Sequence, residues 1–104
     1  MLPKNNEIDA VTIAPDLHKV IFENDKVRVL DVVVPPGAHA DMHWHPENVG
    51  YVVASGKLKF TKPDGTSVEV ELKGGQVTNA GENSHIVDNI GETTAHVVQV
   101  ELKI

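Results

Sequence analysis

Pro36-Gly37-Ala38-His39-Ala40-Asp41-Met42-His43-Trp44-His45-Pro46-Glu47 is the stretch that decides how this chain is read. A Pro-Pro-Gly breaker is followed by an extended segment carrying His43-Trp44-His45. In a strand, residues two apart point to the same side and lie about 6.8 Å apart along the chain. Two imidazoles at that spacing can converge on one ion at about 2.1 Å. The intervening Trp44 faces the other way, into packing or a subunit contact. His-x-His pairs also occur on solvent-facing strands, so a third ligand from a distant strand is needed. His85 is the natural candidate, because it opens a strand after the polar turn Gly81-Glu82-Asn83-Ser84, with Val87 and Asn89 on its face.

Strands and turns surround this segment almost throughout. Val68, Val70 and Leu72 alternate with Glu69, Glu71 and Lys73, the pattern of a half-buried strand. Lys57 to Lys62 alternates before it, and Pro63-Asp64-Gly65 supplies the turn of a β-hairpin. Val27 to Val34 is β-branched and ends at Pro35-Pro36-Gly37. Further strands are expected over Val49–Ala54, Gln76–Asn79, His85–Ile90 and Ala95–Leu102. No window holds a sustained apolar 3.6-residue period, and Pro15–Val20 is given at most one helical turn. Many short strands with frequent turns indicate a sandwich or a barrel.

The 104 residues suffice for one domain with one core. Residues 1–26 read as an N-terminal extended arm and first strand region, and 27–104 as the barrel. The arm, about the first 14 residues, would close the barrel or cross to a second subunit. Fifteen acidic against nine basic residues give a net charge of −6, which argues against a nucleic-acid partner. No apolar run approaches the roughly 20 residues of a membrane span, and Met1–Glu7 has no apolar stretch of a secretory signal. A cytoplasmic location is therefore expected. The absence of cysteine excludes disulfides, thiolate metal sites and thiol nucleophiles, so any metal is held by nitrogen and oxygen. Six histidines in so short a chain are the outstanding feature of the composition.

The chain resembles the cupin superfamily. The first cupin motif is Gly, five residues, His-x-His, three or four residues, Glu, six residues and Gly, and Gly37, His43, His45 and Gly56 match it. The second is Gly, five residues, Pro-x-Gly, two residues, His, three residues and Asn, and Gly74, His85 and Asn89 match it. The resemblance runs from Val27 to Leu102 and implies an all-β, single-domain jelly-roll barrel of two antiparallel sheets. It departs from the motifs at Val49, where the family has its Glu, and at Ala80 and Glu82 in place of Pro and Gly. The usual three-His, one-Glu set is thereby reduced to His43, His45 and His85. The resemblance implies a divalent ion (iron, manganese, nickel or zinc), a small-molecule substrate or ligand, and a homodimer.

Three neutral imidazoles would leave the ion its full charge and open positions. Asp41 and Glu47 are alternative fourth ligands, and a water is the simpler one. Glu47, Tyr51 and His96 are the acid/base candidates. Tyr51 continues the parity of His43, and His96 belongs to the more uniformly apolar set His96, Val98, Val100 and Leu102, which places it toward the barrel interior. Val49, Val87 and Val98 are expected as apolar pocket neighbours. Asn89 is read as fixing a turn or buttressing the site, His39 as exposed, and His18 is given no role. A metalloenzyme of dioxygenase or isomerase/lyase type and a non-catalytic ligand- or sugar-binding module are the two readings, the first preferred.

Overall fold

The computed structural model describes residues 8–103. Among them, one helical turn, α1 (Ala10–Ile13), precedes nine strands: β1 (His18–Glu23), β2 (Val27–Val34), β3 (His39–His45), β4 (Asn48–Ala54), β5 (Gly56–Thr61), β6 (Ser67–Leu72), β7 (Val77–Ala80), β8 (Asn83–Asn89) and β9 (Ala95–Leu102). They form two antiparallel sheets, ordered β1-β2-β9-β4-β7 and β3-β8-β5-β6. This is the two-sheet jelly roll that the resemblance implied, where the strand pattern alone left a sandwich or a barrel. The β5–β6 hairpin pairs Gly56 with Leu72 through Thr61 with Ser67, as its alternation required.

The core lies between the sheets and is built from the inward residues of each strand, among them Leu30, Val32 and Val34 of β2, Val52 of β4, Leu58 of β5 and Val87 of β8. β2 is the clearest case, with Arg28, Leu30, Val32 and Val34 buried in strict alternation. Two motif glycines have steric reasons. Gly37 adopts φ +79°, a left-handed conformation that ends the Pro-Pro-Gly turn. A Cβ on Gly56 would lie 2.6 Å from the Cβ of Ala95, so only glycine lets β5 approach the start of β9 this closely.

The N-terminal part differs from the expectation. The first strand region is β1, which pairs along β2 from His18 opposite Val32 to Glu23 opposite Arg28, whereas the described part of the expected arm, residues 8–14, holds α1 at Ala10–Ile13. The arm expected over residues 1–7 falls outside the described residues. The helical turn also sits earlier than Pro15–Val20, because Asp9 caps it by accepting from the Val11 amide at 3.1 Å. His18 and the residues after it then extend along the sheet. A division at residue 26 falls within the β1–β2 connection, and both sides of it contribute to one core.

Candidate metal centre

β3 carries the decisive irregularity. Ala40 pairs with Val87 and His43 with His85, so three steps on β3 face two on β8, a β-bulge at Asp41 and Met42. The extra residue reverses which side each position faces. Ala40 points inward before the bulge, whereas His43 and His45 are buried after it, at 0% and 3% exposure. Asp41 and His39 stay outside, where His39 is hydrogen-bonded to Asp88 at 2.7 Å and Asp41 at 3.0 Å. Asp41 therefore does not share the side of His43, which removes it from the candidate ligands.

His18, His43 and His45 each offer a ring nitrogen, and these atoms lie within 4.8 Å of one another. His85 sits across the β3–β8 ladder from His43, and its ring centroid lies 4.8 Å from that of His43 and 5.3 Å from that of His45. His18 closes the group from β1, with centroids 5.0 and 5.4 Å from the same two rings. Four imidazoles thus face one another. The tightest nitrogen set includes His18, from a strand the motifs do not cover, where the sequence reading had placed His85.

Three of the rings are fixed from behind. His43 Nδ1 lies 2.7 Å from the Asp41 carbonyl and His18 Nδ1 3.0 Å from the Ala14 carbonyl. A carbonyl only accepts, so each Nδ1 carries the proton and each Nε2 keeps its lone pair. His45 Nδ1 lies 2.7 Å from the Glu101 carboxylate and 3.0 Å from the Gln99 amide. Among the described residues His43 Nε2 is buried with no hydrogen-bond partner. An orphaned lone pair in a water-poor site is costly unless something electron-poor occupies it. The donor set therefore fits a borderline divalent ion such as zinc, iron, nickel or manganese.

The electrostatics keep these donors neutral. Burial, then repulsion from His45, pushes His18 down to about 4. Burial and repulsion from His43 bring His45 to about 3, and burial with repulsion from His45, His43 and His18 brings His85 to about 3. Burial lowers His43 as well. Neutral imidazole is the ligating form.

The rings line one side of a cavity of about 310 Å³ between the sheets. Its other walls are mainly apolar, including Val32, Leu58, Phe60, Leu72 and Val87, with Asn48, Thr78, Asn83 and Gln99 as polar points. Phe60 stacks obliquely against His85 at 4.8 Å.

The acid/base candidates lie elsewhere. Tyr51 is 51% exposed, because β4 belongs to the opposite sheet from β3 and buries Asn48, Gly50 and Val52. The chain switches sheets after Pro46, so parity is not carried across. Glu47 is exposed in that connection, and its backbone carbonyl accepts from the Leu102 amide at 2.9 Å. His96 is hydrogen-bonded to Asp31 on the outer face of the sheet. On β9 the inward set is Val97, Gln99 and Glu101, the reverse of the expectation. Of the apolar neighbours, Val87 lines the cavity, while Val49 is 39% exposed on the outer face and Val98 shares that face with His96. Trp44 faces away from the rings as expected, buried with its Nε1 donating to Glu82 at 2.9 Å. Asn89 fixes a turn, donating to the carbonyls of Val34 and Thr93 and accepting from the Gly91 amide.

His18 and Glu101 escaped the sequence reading. His18 stands alone beyond the motifs, and the one signal for Glu101 was its place two residues after Gln99 on a strand whose inner and outer sets are both partly apolar. No helix among the described residues is long and apolar enough to cross a membrane.

Known proteins place this architecture. None of the curated proteins matches the sequence. Among solved structures, a cupin domain from Bordetella pertussis Tohama I is 29% identical over 84% of this chain and 92% of its own, with a TM-score of 0.76. A predicted oxalate decarboxylase from Thermotoga maritima is 26% identical over 78% of this chain and 70% of its own, with a TM-score of 0.55. A conserved protein with a double-stranded β-helix domain from Klebsiella pneumoniae, 22% identical over 83% of this chain and 70% of its own, shares the fold with a TM-score of 0.65. The cupin domain family matches residues 30–101. With that match over most of the chain and two sheets closing on a histidine-lined cavity, the chain belongs to the cupin domain family.

Proposed function

We propose that this cupin is a metalloenzyme acting on a small molecule, with a divalent ion held by the Nε2 atoms of His18, His43 and His45 and by His85 beside them. The observation that carries the proposal is His43 Nε2, buried with no hydrogen-bond partner among the described residues, on a ring that faces those of His18, His45 and His85. An ion bound there supplies Lewis acidity or, if it is iron, a redox centre for dioxygenase-type chemistry. The chain's own residues do the rest. Val32, Leu58, Phe60 and Val87 exclude water and grip an apolar body, while Asn48, Thr78 and Gln99 offer hydrogen bonds to a polar end.

Among the described residues no lysine or arginine lines the cavity. A dianion such as a small dicarboxylate would find no cation for its second charge. The substrate class is therefore a neutral or singly charged, partly apolar molecule with one metal-seeking end. Isomerase or lyase chemistry fits the same surroundings with zinc, nickel or manganese. A homodimer belongs to the proposal, supported by Val20, Ile21 and Phe22 exposed along the edge strand β1.

One observation favours the second reading, a ligand-binding module without turnover. Glu47, Tyr51 and His96 all lie outside the cavity, which among the described lining residues leaves the imidazoles as proton carriers. Elemental analysis of protein purified without a His-tag, beside a His43→Ala/His85→Ala variant, tests the proposal. Near-stoichiometric metal that disappears in the variant is expected. Metal-free protein that takes up none on titration overturns it. Ligand-dependent stabilisation of the loaded protein with no product would favour the binding module.

A further inference from the structure

Behind His45 lies a chain of buried charges that the cupin motifs do not include. Glu101 on β9 is 0% exposed, Arg28 on β2 6% and Asp9 at the start of α1 4%. Arg28 and Glu101 are cross-strand partners, and Arg28 donates to Glu101 through Nε at 2.8 Å and also through its Nη2. The guanidinium's other side is bidentate to Asp9, at 2.8 and 3.0 Å. The remaining Glu101 oxygen meets His45 Nδ1 at 2.7 Å and receives the Gln99 amide at 3.4 Å. Two carboxylates against one guanidinium leave one surplus negative charge, walled from water and in contact with a neutral ring.

A surplus charge in such a place is costly unless an opposite charge lies nearby. The His45 ring stands between Glu101 and the space where ring nitrogens of His18, His43 and His45 lie within 4.8 Å of one another. We infer that Glu101 is the carboxylate of this metal site: it acts through His45, holding that ring with Nε2 free and placing a carboxylate one ring's width from the ion's position. Arg28 aims Glu101 at His45 through its own two hydrogen bonds to that carboxylate, while Asp9 takes the far side of the guanidinium and does not touch Glu101. Glu101 is thus a positioning residue, and a second-layer carboxylate raises the basicity of the imidazole it holds. The inference rests on the metal-binding reading above.

Cobalt(II) titration of the metal-free full chain, followed by visible absorption, tests it with the wild type, Glu101→Gln and Asp9→Asn. Glu101→Gln keeps the shape of the side chain, and its affinity is expected to fall about 10- to 100-fold with a shifted ligand-field spectrum. Asp9→Asn disturbs the same ion network but leaves the Glu101–His45 contact, and is expected to keep the wild-type affinity and spectrum. Glu101→Gln indistinguishable from wild type, or weaker binding with an unshifted spectrum, overturns the inference. So does Asp9→Asn losing as much as Glu101→Gln. Failure of the wild type to bind cobalt would instead refute the metal site itself. Should Glu101→Gln not fold, nitrogen-15 NMR of wild-type, metal-free protein decides the point. His45 is expected with its proton on Nδ1, and a proton on Nε2 overturns the inference.

Discussion

Acid should unfold the metal-free protein by way of its histidine cluster. His18, His45 and His85 are held down to about 4, 3 and 3, and His43 is also lowered, against an ordinary value of 6.5 in an unfolded chain. The folded state therefore binds fewer protons than the unfolded state below pH 6.5. The stability these groups contribute is intact above that pH and is lost progressively as pH falls toward the folded values. Between pH 6 and 5 the folded His18, His45 and His85 rings stay neutral while their unfolded counterparts fill, which costs about 1 kcal/mol per ring and about 3 kcal/mol for the three, and His43 adds in the same direction. Glu101, raised chiefly by its burial, and His39, raised by its hydrogen bond to Asp88, work in the opposite sense and offset part of this. A loss of about 3 kcal/mol from these three rings is large beside the 5–15 kcal/mol typical of a domain, and should lower the urea midpoint by roughly 2 M. Trp44, the only tryptophan and 1% exposed, reports the transition by fluorescence. Urea titrations of chelator-treated protein at pH 7, 6, 5.5 and 5 measure the slope. A slope equivalent to less than one net proton between pH 6 and 5 would refute the reasoning, since it would mean that these rings are not buried together in neutral form.

Four further outcomes follow from the same geometry. Saturating zinc or cobalt at about a thousand times its dissociation constant should stabilise the wild type by about 4 kcal/mol, and His43→Ala should show no such shift in thermal melting. Gly56→Ala forces a Cβ to within 2.6 Å of Ala95 and should cost about 1–3 kcal/mol in urea unfolding, with metal stoichiometry retained. Leu58→Ala removes a side chain that is 4% exposed on the cavity wall, and should cost about 2–4 kcal/mol while leaving the histidines able to bind metal. Tyr51→Phe and His96→Ala lie on the outer face, so elemental analysis should find the same metal content as in the wild type; loss of metal in either would contradict that placement.

Much of the fold was legible in the sequence. Val27–Val34 and Ala95–Leu102 are strands with the expected bounds, and the β5–β6 hairpin follows from its alternation and the Pro63-Asp64-Gly65 turn. The faces of the strands nearest the site were less legible. On β9 the apolar set Val98 and Val100 looked like the inner one, yet the interior there is a polar centre that needs Gln99 and Glu101. Burial followed the site's chemistry where hydrophobic patterning pointed the other way. Asp41 was misplaced by a bulge that leaves no mark in residue type, and Tyr51 by a change of sheet between two strands only two residues apart.

Local sequence alone determined the strands, the turns and the pair His43 and His45, because alternation, breakers and a two-residue repeat act over a few neighbouring residues. His85 was singled out by its place after a polar turn and by the second motif of the family resemblance. Only the tertiary structure decided that His18 joins them, that Glu101 stands behind His45, and that Arg28 pairs with both Glu101 and Asp9. The hydrogen bonds that join Asp9, Arg28, Glu101 and His45 span 19 to 73 residues along the chain and form because the start of α1, β2, β9 and β3 come together. Contacts of that range depend on strand order and bulges, which single-chain patterning does not encode.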